Sequence, residues 1–417
     1  MLKQMEGSVA VAEAVALARP EVICAYPITP QTHIVEGLGE LVKSGKLENC
    51  EYINVESEFA ALSVGIGSSS AGARTYTATA SQGILYMAEA VYNASGMGLP
   101  IVMTVGNRAI GAPINIWNDQ SDSMSMRDAG WIQLFCETNQ EAVDVHIQAF
   151  KIAETLNVPV MVCMDGFILT HAYERIDMPE QEQIDQFLPP FNPRQVLDPA
   201  HPVSMGAMVG PEAFTEVRYL AHHRQLQALE VIPKIAAEYN AIVGRDNGGL
   251  ISTYKTEDAE TLIISLGSVI GTIKDVIDVR REEGEKIGCI AIRSFRPFPI
   301  AEIREACSKA KRVVVLEKCF AVGLGGMVAS NVRMALSTQP LPVYNVIAGL
   351  GGRPITQKSL HKLFNEATAD TLEGLHFLDL NKETVERELE RERLEGCSGA
   401  VAENILRDIG AVAASKV

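Results

Sequence analysis

Four points along this chain carry polar side chains at the place where an apolar or small-residue run starts or stops, and they hold its candidates for chemistry. Glu58 opens the small-residue stretch Glu58-Phe59-Ala60-Ala61-Leu62. A first-turn glutamate gains from the helix dipole whatever else it does, so it can be a simple N-terminal acid. Buried among Ala60, Ala61 and Leu62, it can instead have a raised pKa and share a proton with a ring nitrogen. Thr29 sits in the proline-bracketed turn Pro27-Ile28-Thr29-Pro30, where a hydroxyl either bonds the local backbone or donates to a bound carboxylate or cofactor. Arg108 follows an apolar run over 100–105 and begins a long loop reaching to about Arg127. A guanidinium there can fork onto a carboxylate, or pair on the surface with Asp119, Asp122 or Asp128. Loops beyond about 12–15 residues are usually functional, which favours substrate contact. Ser81-Gln82-Gly83 opens a helix whose free amides suit an anion or a polar ring; ordinary capping by Ser81 or by Thr77-Ala78-Thr79 is the alternative.

The elements around these residues alternate. Apolar strands are expected over 22–26, 51–55, 74–79, 100–105 and 158–164, with helices over 32–42, 56–71, 83–95 and 141–156. Apolar strands alternating with helices predict an α/β fold, a doubly wound parallel sheet covered on both faces. Such a sheet gathers ligands at the carboxyl ends of its strands, where Thr29, Glu58, Ser81 and Arg108 all fall. Prolines 179, 189, 190, 193, 199, 202 and 211 then interrupt the rhythm. A helix near 226–239 leads into a second alternating block, with strands over 261–265, 287–292, 312–316 and 342–346. The chain therefore divides into an α/β domain over 1–176, a proline-rich connector and helix over 177–254, and a smaller α/β domain over 255–368. A charged helical tail over 369–417 completes it.

Composition removes several function classes. Of 417 residues, 36 are basic and 52 acidic, a net charge of −16 that disfavours a nucleic-acid partner. No run of about 18 apolar residues predicts a membrane span, and the N-terminus is not a secretion signal, so a cytoplasmic location is expected. The eight cysteines include no C-x-x-C pair, which argues against an iron–sulfur or zinc site built by this chain. His33, His146, His201, His222, His223 and His361 show no ligand spacing tied to carboxylates, so no metal site is expected. Two glycine runs, Gly323-Leu324-Gly325-Gly326 and Gly349-Leu350-Gly351-Gly352, have the form of phosphate loops, a weak signal shared by tight strand-to-helix turns.

Longer strings agree with one another in order and spacing: AYPITPQT at 25–32, VESEFAALSVGIGSSSAGAR at 55–74, TATASQG at 77–83, LPIVM at 99–103, GNRAIGAPINIWNDQSDSMSMRDAGWIQL at 106–134 and RPFP at 296–299. Over about residues 5–365 the chain resembles the alpha subunit of the pyruvate:ferredoxin oxidoreductase family and its 2-oxo acid:ferredoxin oxidoreductase relatives. The resemblance implies a pyrimidine-binding domain for thiamine diphosphate, followed by a domain similar to the transketolase C-terminal domain. It implies oxidative decarboxylation of a 2-oxo acid, pyruvate before others, to acyl-CoA and carbon dioxide. A beta subunit would hold the cofactor's diphosphate and Mg2+ through a G-D-G…N pattern that is missing here, and 4Fe–4S clusters would lie in partner subunits. Gamma and ferredoxin-like delta subunits would carry electrons to ferredoxin, or to NAD through a flavin subunit, with coenzyme A as co-substrate. By this likeness Glu58 faces the aminopyrimidine, Ser81 and Gln82 neighbour the cofactor, and Thr29 and Arg108 hold the substrate. Gly111, Asn115, Asp119 and Gln120 lie in a substrate loop that varies among relatives. Phe59 stands where many relatives have histidine. Branched or aryl acids such as 2-oxoisovalerate or phenylglyoxylate are the alternative substrates, and a non-catalytic structural subunit is the alternative of another class.

Overall fold

The structure, a computed structural model, describes residues 2–394 and 399–411. Met1, residues 395–398 with Cys397, and the end of the tail over 412–417 lie outside the described residues. The strands in chain order are β1 (Leu2–Glu6), β2 (Val22–Ala25), β3 (Glu51–Asn54), β4 (Thr75–Thr79), β5 (Val102–Asn107), β6 (Ile132–Phe135), β7 (Val160–Asp165), β8 (Tyr173–Asp177), β9 (Ile251–Tyr254), β10 (Thr261–Ser265), β11 (Ile287–Ile292), β12 (Ser294–Arg296), β13 (Arg312–Glu317), β14 (Val343–Ile347) and β15 (Leu375–Phe377). The protein is α/β, with two sheets that are parallel except for one edge strand each. The first runs β12-β6-β7-β5-β4-β2-β3 and the second β15-β14-β13-β10-β11-β9, while β1 and β8 form a separate antiparallel ribbon.

The first sheet reverses its winding between β2 and β4. The chain leaves β2 toward β3 on one side and β4 toward β5 on the other. A crevice opens at such a switch point, outside the carboxyl ends of the strands. The loops after β2, β3, β4 and β5 carry Thr29, Glu58, Ser81 and Arg108. The helix Glu58–Ser70 forms because Ser57 caps it, its hydroxyl accepting from Ala60 N at 3.2 Å, and because small residues let it lie close to the sheet. A Cβ at Gly65 would stand 3.2 Å from Cys24 Sγ on β2. The helix Asn139–Leu156, capped by Thr138, is buried along most of its length under the same sheet.

Several elements have no clear sequence signal. β12 reaches out of the second domain to pair antiparallel with β6, and Phe135 N donates to Arg293 O at 2.7 Å. Only three residues long and ended by Pro297, it has too little periodicity to be read. β9 lies in the segment read as connector, yet it is the antiparallel edge of the second sheet, and β15 extends that sheet past residue 368. The same connector segment holds a 30-residue helix, Phe214–Val243, longer than the run of apolar spacing near 226–239. The expected helix over 83–95 is broken at Met87 into Gln82–Tyr86 and Ala88–Gly96.

The carboxyl edges of the two sheets face each other across one buried ion pair. Lys318, just after β13, donates from Nζ to Oδ2 of Asp165 at the end of β7, at 2.8 Å, with both side chains under 5% exposed. Ser268 adds two donors to the same oxygen and Gln120 one to the other. Burial works to raise the Asp165 carboxyl; Lys318 and the Ser268 donors outweigh it and hold the group below the ordinary carboxylate range. A folded-state value below the unfolded one makes this contribution complete at neutral pH, and it disappears only as acid protonates Asp165. Lys318→Met should leave that carboxylate buried and unpaired and cost about 3–5 kcal/mol. Urea unfolding of the full-length chain measures this, and an unchanged midpoint would remove the pair from its structural role.

Candidate active site

Glu58 is 8% exposed, and among the described residues no group donates a hydrogen bond to its carboxylate. It rests against Gly83, where a Cβ would stand 2.8 Å from Glu58 Cγ, 2.9 Å from Glu58 Oε1 and 2.5 Å from Thr79 Oγ1. Only glycine leaves this space open. Thr79 Oγ1 is buried there without a partner, so two polar groups, one ending β4 and one opening the helix after β3, face one space with their capacity unused. Next to them Ser81 is fully buried with φ 48° and ψ −125°, a conformation that side chains other than glycine rarely adopt. Its hydroxyl lies 2.5 Å from Ala109 O and also close to Gln82 Oε1, two acceptors that share its single proton. A Cβ at Gly111 would stand 2.5 Å from Gln82 Nε2, which places Gly111 over the same crevice.

Arg108 closes the other side. Its Nη1 donates to Thr29 O at 2.9 Å and its Nε to Asn115 O at 3.1 Å. Burial works against the guanidinium's charge, with Asp122 partly compensating. The surface ion pairs open to it in the sequence do not form: among the described residues no carboxylate accepts from this guanidinium. Asp122 binds the arginine's backbone N–H instead, at 2.9 Å. A cation anchored only on carbonyls keeps the capacity to bind a further anion. The Thr29 side chain is exposed at the mouth of this space. The structure thus brings together Thr29, Glu58, Ser81, Gln82, Arg108 and Gly111.

Asp122 holds the arrangement in place. Fully buried, it accepts from Ser81 N and Arg108 N through Oδ2, at 2.9 Å each. Through Oδ1 it accepts from Asn107 Nδ2 at 2.8 Å and Ser123 N at 2.7 Å. One carboxylate therefore fixes the ends of β4 and β5. Burial pushes its carboxyl up to about 7, against the pull of these four donors. In the sequence Asp122 is one of three acids near Arg108, and nothing local distinguishes it.

Two residues expected at the substrate have their side-chain donors committed elsewhere. Gln120 is fully buried, its Nε2 donating to Asp165 Oδ1 at 3.2 Å and Leu266 O at 3.4 Å; it belongs to the seam between the domains. Asn115 donates to Gly351 O at 3.1 Å and accepts from Trp117 N at 2.7 Å, so its side chain fixes the loop while its carbonyl meets Arg108. Asp119 is buried in the same seam, accepting from Ser121 and from Gly351 N. The glycine runs are likewise not open phosphate loops. Glu317 accepts from Val328 N and Ala329 N at the helix start after Gly326, and Asp119 occupies an amide of the second run.

An open α/β sheet with an acid that no described group pairs and a carbonyl-anchored arginine at its switch point has the form of a ligand-binding domain, and the chain's relatives specify the ligand's class. Residues 13–237 match the family model described as pyruvate flavodoxin/ferredoxin oxidoreductase, thiamine diphosphate-binding, and residues 259–360 that of pyruvate:ferredoxin oxidoreductase core domain II. The chain is 48% identical over 388 residues to the pyruvate synthase subunit PorA of Methanosarcina barkeri, covering 91% of this chain and 96% of the relative. It is 44% identical to PorA of Pyrococcus abyssi, covering 91% and 98%. To the ketoisovalerate oxidoreductase subunit VorA of Pyrococcus horikoshii it is 41% identical, covering 86% and 91%. The 2-oxoglutarate:ferredoxin oxidoreductase of Magnetococcus marinus shares the fold, with a TM-score of 0.67 at 19% identity; the match spans 88% of this chain and 65% of that one. The chain belongs to the pyruvate:ferredoxin oxidoreductase family. The orphaned Thr79 hydroxyl, the donor-free Glu58 carboxylate and the cradle at Gly83 fit the polar edge of an aminopyrimidine.

All four acceptor positions of Asp122 are in use, so a proton on it must displace a donor. Turnover of the assembled enzyme should therefore fall as pH drops through about 7. Asp122→Asn should lose about 10²-fold in turnover and no longer show that acid limb. A pH–rate profile of both proteins decides, and an identical limb in the variant would assign it to another group.

Proposed function

We propose that this chain is the alpha subunit of a multisubunit 2-oxo acid:ferredoxin oxidoreductase acting on pyruvate, and that it supplies the pyrimidine side of a thiamine diphosphate site. The observation that carries this reading is the Glu58 carboxylate, nearly buried, without a donor and facing the open cradle at Gly83. When bound, thiamine diphosphate supplies the nucleophilic carbon and the electron sink needed to release carbon dioxide from a 2-oxo acid. Glu58 holds the proton at the pyrimidine ring nitrogen from a position nearly closed to water. Ser81 and Gln82 set the floor beside it. Arg108 takes the substrate's carboxylate, with the Thr29 hydroxyl completing the polar edge. This pair must orient a group that is then lost, so positioning counts for more than tight binding.

The names of the relatives support pyruvate over a branched acid, as does identity to the PorA chains of 43–48% against 41% for VorA. Partner chains would be a beta subunit holding the diphosphate, Mg2+ and 4Fe–4S clusters, with gamma and ferredoxin-like delta subunits beyond. Coenzyme A accepts the acyl group, and electrons pass to ferredoxin, or to NAD where a flavin subunit is added. No described helix is long and apolar enough to cross a membrane, and the seven described cysteines are free thiols, which supports a reducing cytoplasm.

Glu58→Gln, co-expressed with the neighbouring subunits, should assemble normally yet lose about 10³-fold in pyruvate-dependent ferredoxin reduction. Normal turnover in that assembly would overturn the assignment. Arg108→Ala should raise the KM for pyruvate roughly 10–100-fold, the loss of one charge-assisted contact, with a smaller effect on kcat. Running 2-oxoisovalerate alongside pyruvate in the same assay identifies the substrate by kcat/KM.

A further inference from the structure

Three side chains far apart in sequence and outside the crevice meet on the first domain's surface. Glu6 ends β1, His33 lies in the first turn of the helix Thr32–Lys43, and His171 lies in the turn between β7 and β8. One donor atom from each lies within 4.8 Å of the other two. His33 Nδ1 is 2.6 Å from Glu6 Oε1, and the two imidazole rings stand 5.0 Å apart. His171 Nδ1 bonds Thr170 Oγ1 at 2.7 Å, which fixes the ring and leaves Nε2 as the nitrogen to ligate. Glu6 and His171 are half-buried while His33 is exposed and has room to turn. We propose that Glu6, His33 and His171 bind a divalent transition-metal ion of the zinc class.

Two imidazoles and one carboxylate suit zinc, cobalt or nickel; magnesium and calcium prefer oxygen donors. Ligand atoms about 2.0–2.1 Å from zinc in a tetrahedral site stand roughly 3.3 Å from one another, so the cluster closes by a small side-chain movement and keeps its fourth position for water. Sequence spacing cannot reveal this group, because its members lie on three separate segments. The ion joins segments that the candidate site depends on. His33 follows the Thr29 turn by four residues, and that turn packs against the start of the segment bearing His171, since a Cβ at Gly166 would lie 2.6 Å from Pro30 Cγ. The His171 ring also packs at a tilt against Phe167, which packs in the same way against Trp117 of the long loop. A bound ion therefore braces the Thr29 side of the crevice without entering it.

The test uses the untagged full-length chain, stripped with a chelator and titrated with Zn2+ by calorimetry. A parallel titration with Co2+ follows ligand-field absorption. We expect one ion per chain at micromolar affinity or tighter, a raised Tm on addition of Zn2+, and no displacement by excess Mg2+. His33→Ala, at an exposed position that leaves the fold undisturbed, and His171→Ala should each weaken binding about 100-fold or more. His201→Ala, which removes the exposed partner of Asp198, should change nothing. Absence of stoichiometric Zn2+ binding, wild-type affinity in His33→Ala, or equal competition by Mg2+ would each overturn the proposal.

Discussion

The contact between Asp165 and Lys318 sets the relation of everything else. A carboxylate and an ammonium removed from water need each other and a full set of hydrogen-bond partners. Here those partners come from two places, Ser268 after β10 and Asn118 and Gln120 of the long loop, while the two charges come from opposite sheets. The carboxyl edges of both sheets must therefore meet, with the long loop trapped between them. That explains why a segment with so little regular structure is well buried at its centre. Asn118, Asp119 and Gln120 are polar, yet each finds a partner across the seam, and Ala109 N donates to Trp117 O to close the neck of the loop.

The same pair decides which sheet is free to bind a ligand. The second sheet also reverses its winding, between β10 and β13, and its switch point would ordinarily be a binding crevice. Ser268 and Lys318 flank that point, and both are committed to Asp165. The first domain's carboxylate thus fills the place where a ligand would go. Among the described residues no such plug fills the first sheet's crevice, between the loops after β2 and β4. Its polar groups are instead held ready: Ser81 and Arg108 by Asp122, and Glu58 by the cap at Ser57 and the bare face of Gly83.

This division explains what the sequence could and could not disclose. Apolar strands flanked by helices are periodic features, so the parallel core is legible apart from β6, which follows the long loop without a long helix before it, and so is the position of Thr29, Glu58, Ser81 and Arg108 at strand ends. The edge strands β12 and β15, three residues each, are too short for a period to register, and β9 pairs at the sheet edge without an adjoining strand–helix repeat to mark it. Asp122 is invisible for another reason. Its role arises from four donors on three segments, and an acid close in sequence to an arginine reads as its ion-pair partner. Gln120 errs in the opposite direction, since its place in a loop suggests contact with substrate, whereas burial behind Asp165 makes it part of the joint.

The glycine runs complete the argument about what this chain lacks under the proposed function. A diphosphate needs free amides or cations, and helix starts after glycine turns are their usual source. After Gly326 the first free amides are taken by Glu317, whose carboxyl burial pushes up to about 7, and Asn345 accepts from Gly326 N. A Cβ at Gly326 would stand 1.7 Å from Glu317 Oε1, so the glycine serves the approach of an internal acid. Gly351 N likewise answers Asp119. Carboxylates of this chain thus occupy its own anion-binding positions, while the crevice in the first sheet offers an acid, hydroxyls and one arginine. Under the proposed function such a set suits a heterocycle and a monocarboxylate, and the charged end of the cofactor would fall to a partner chain.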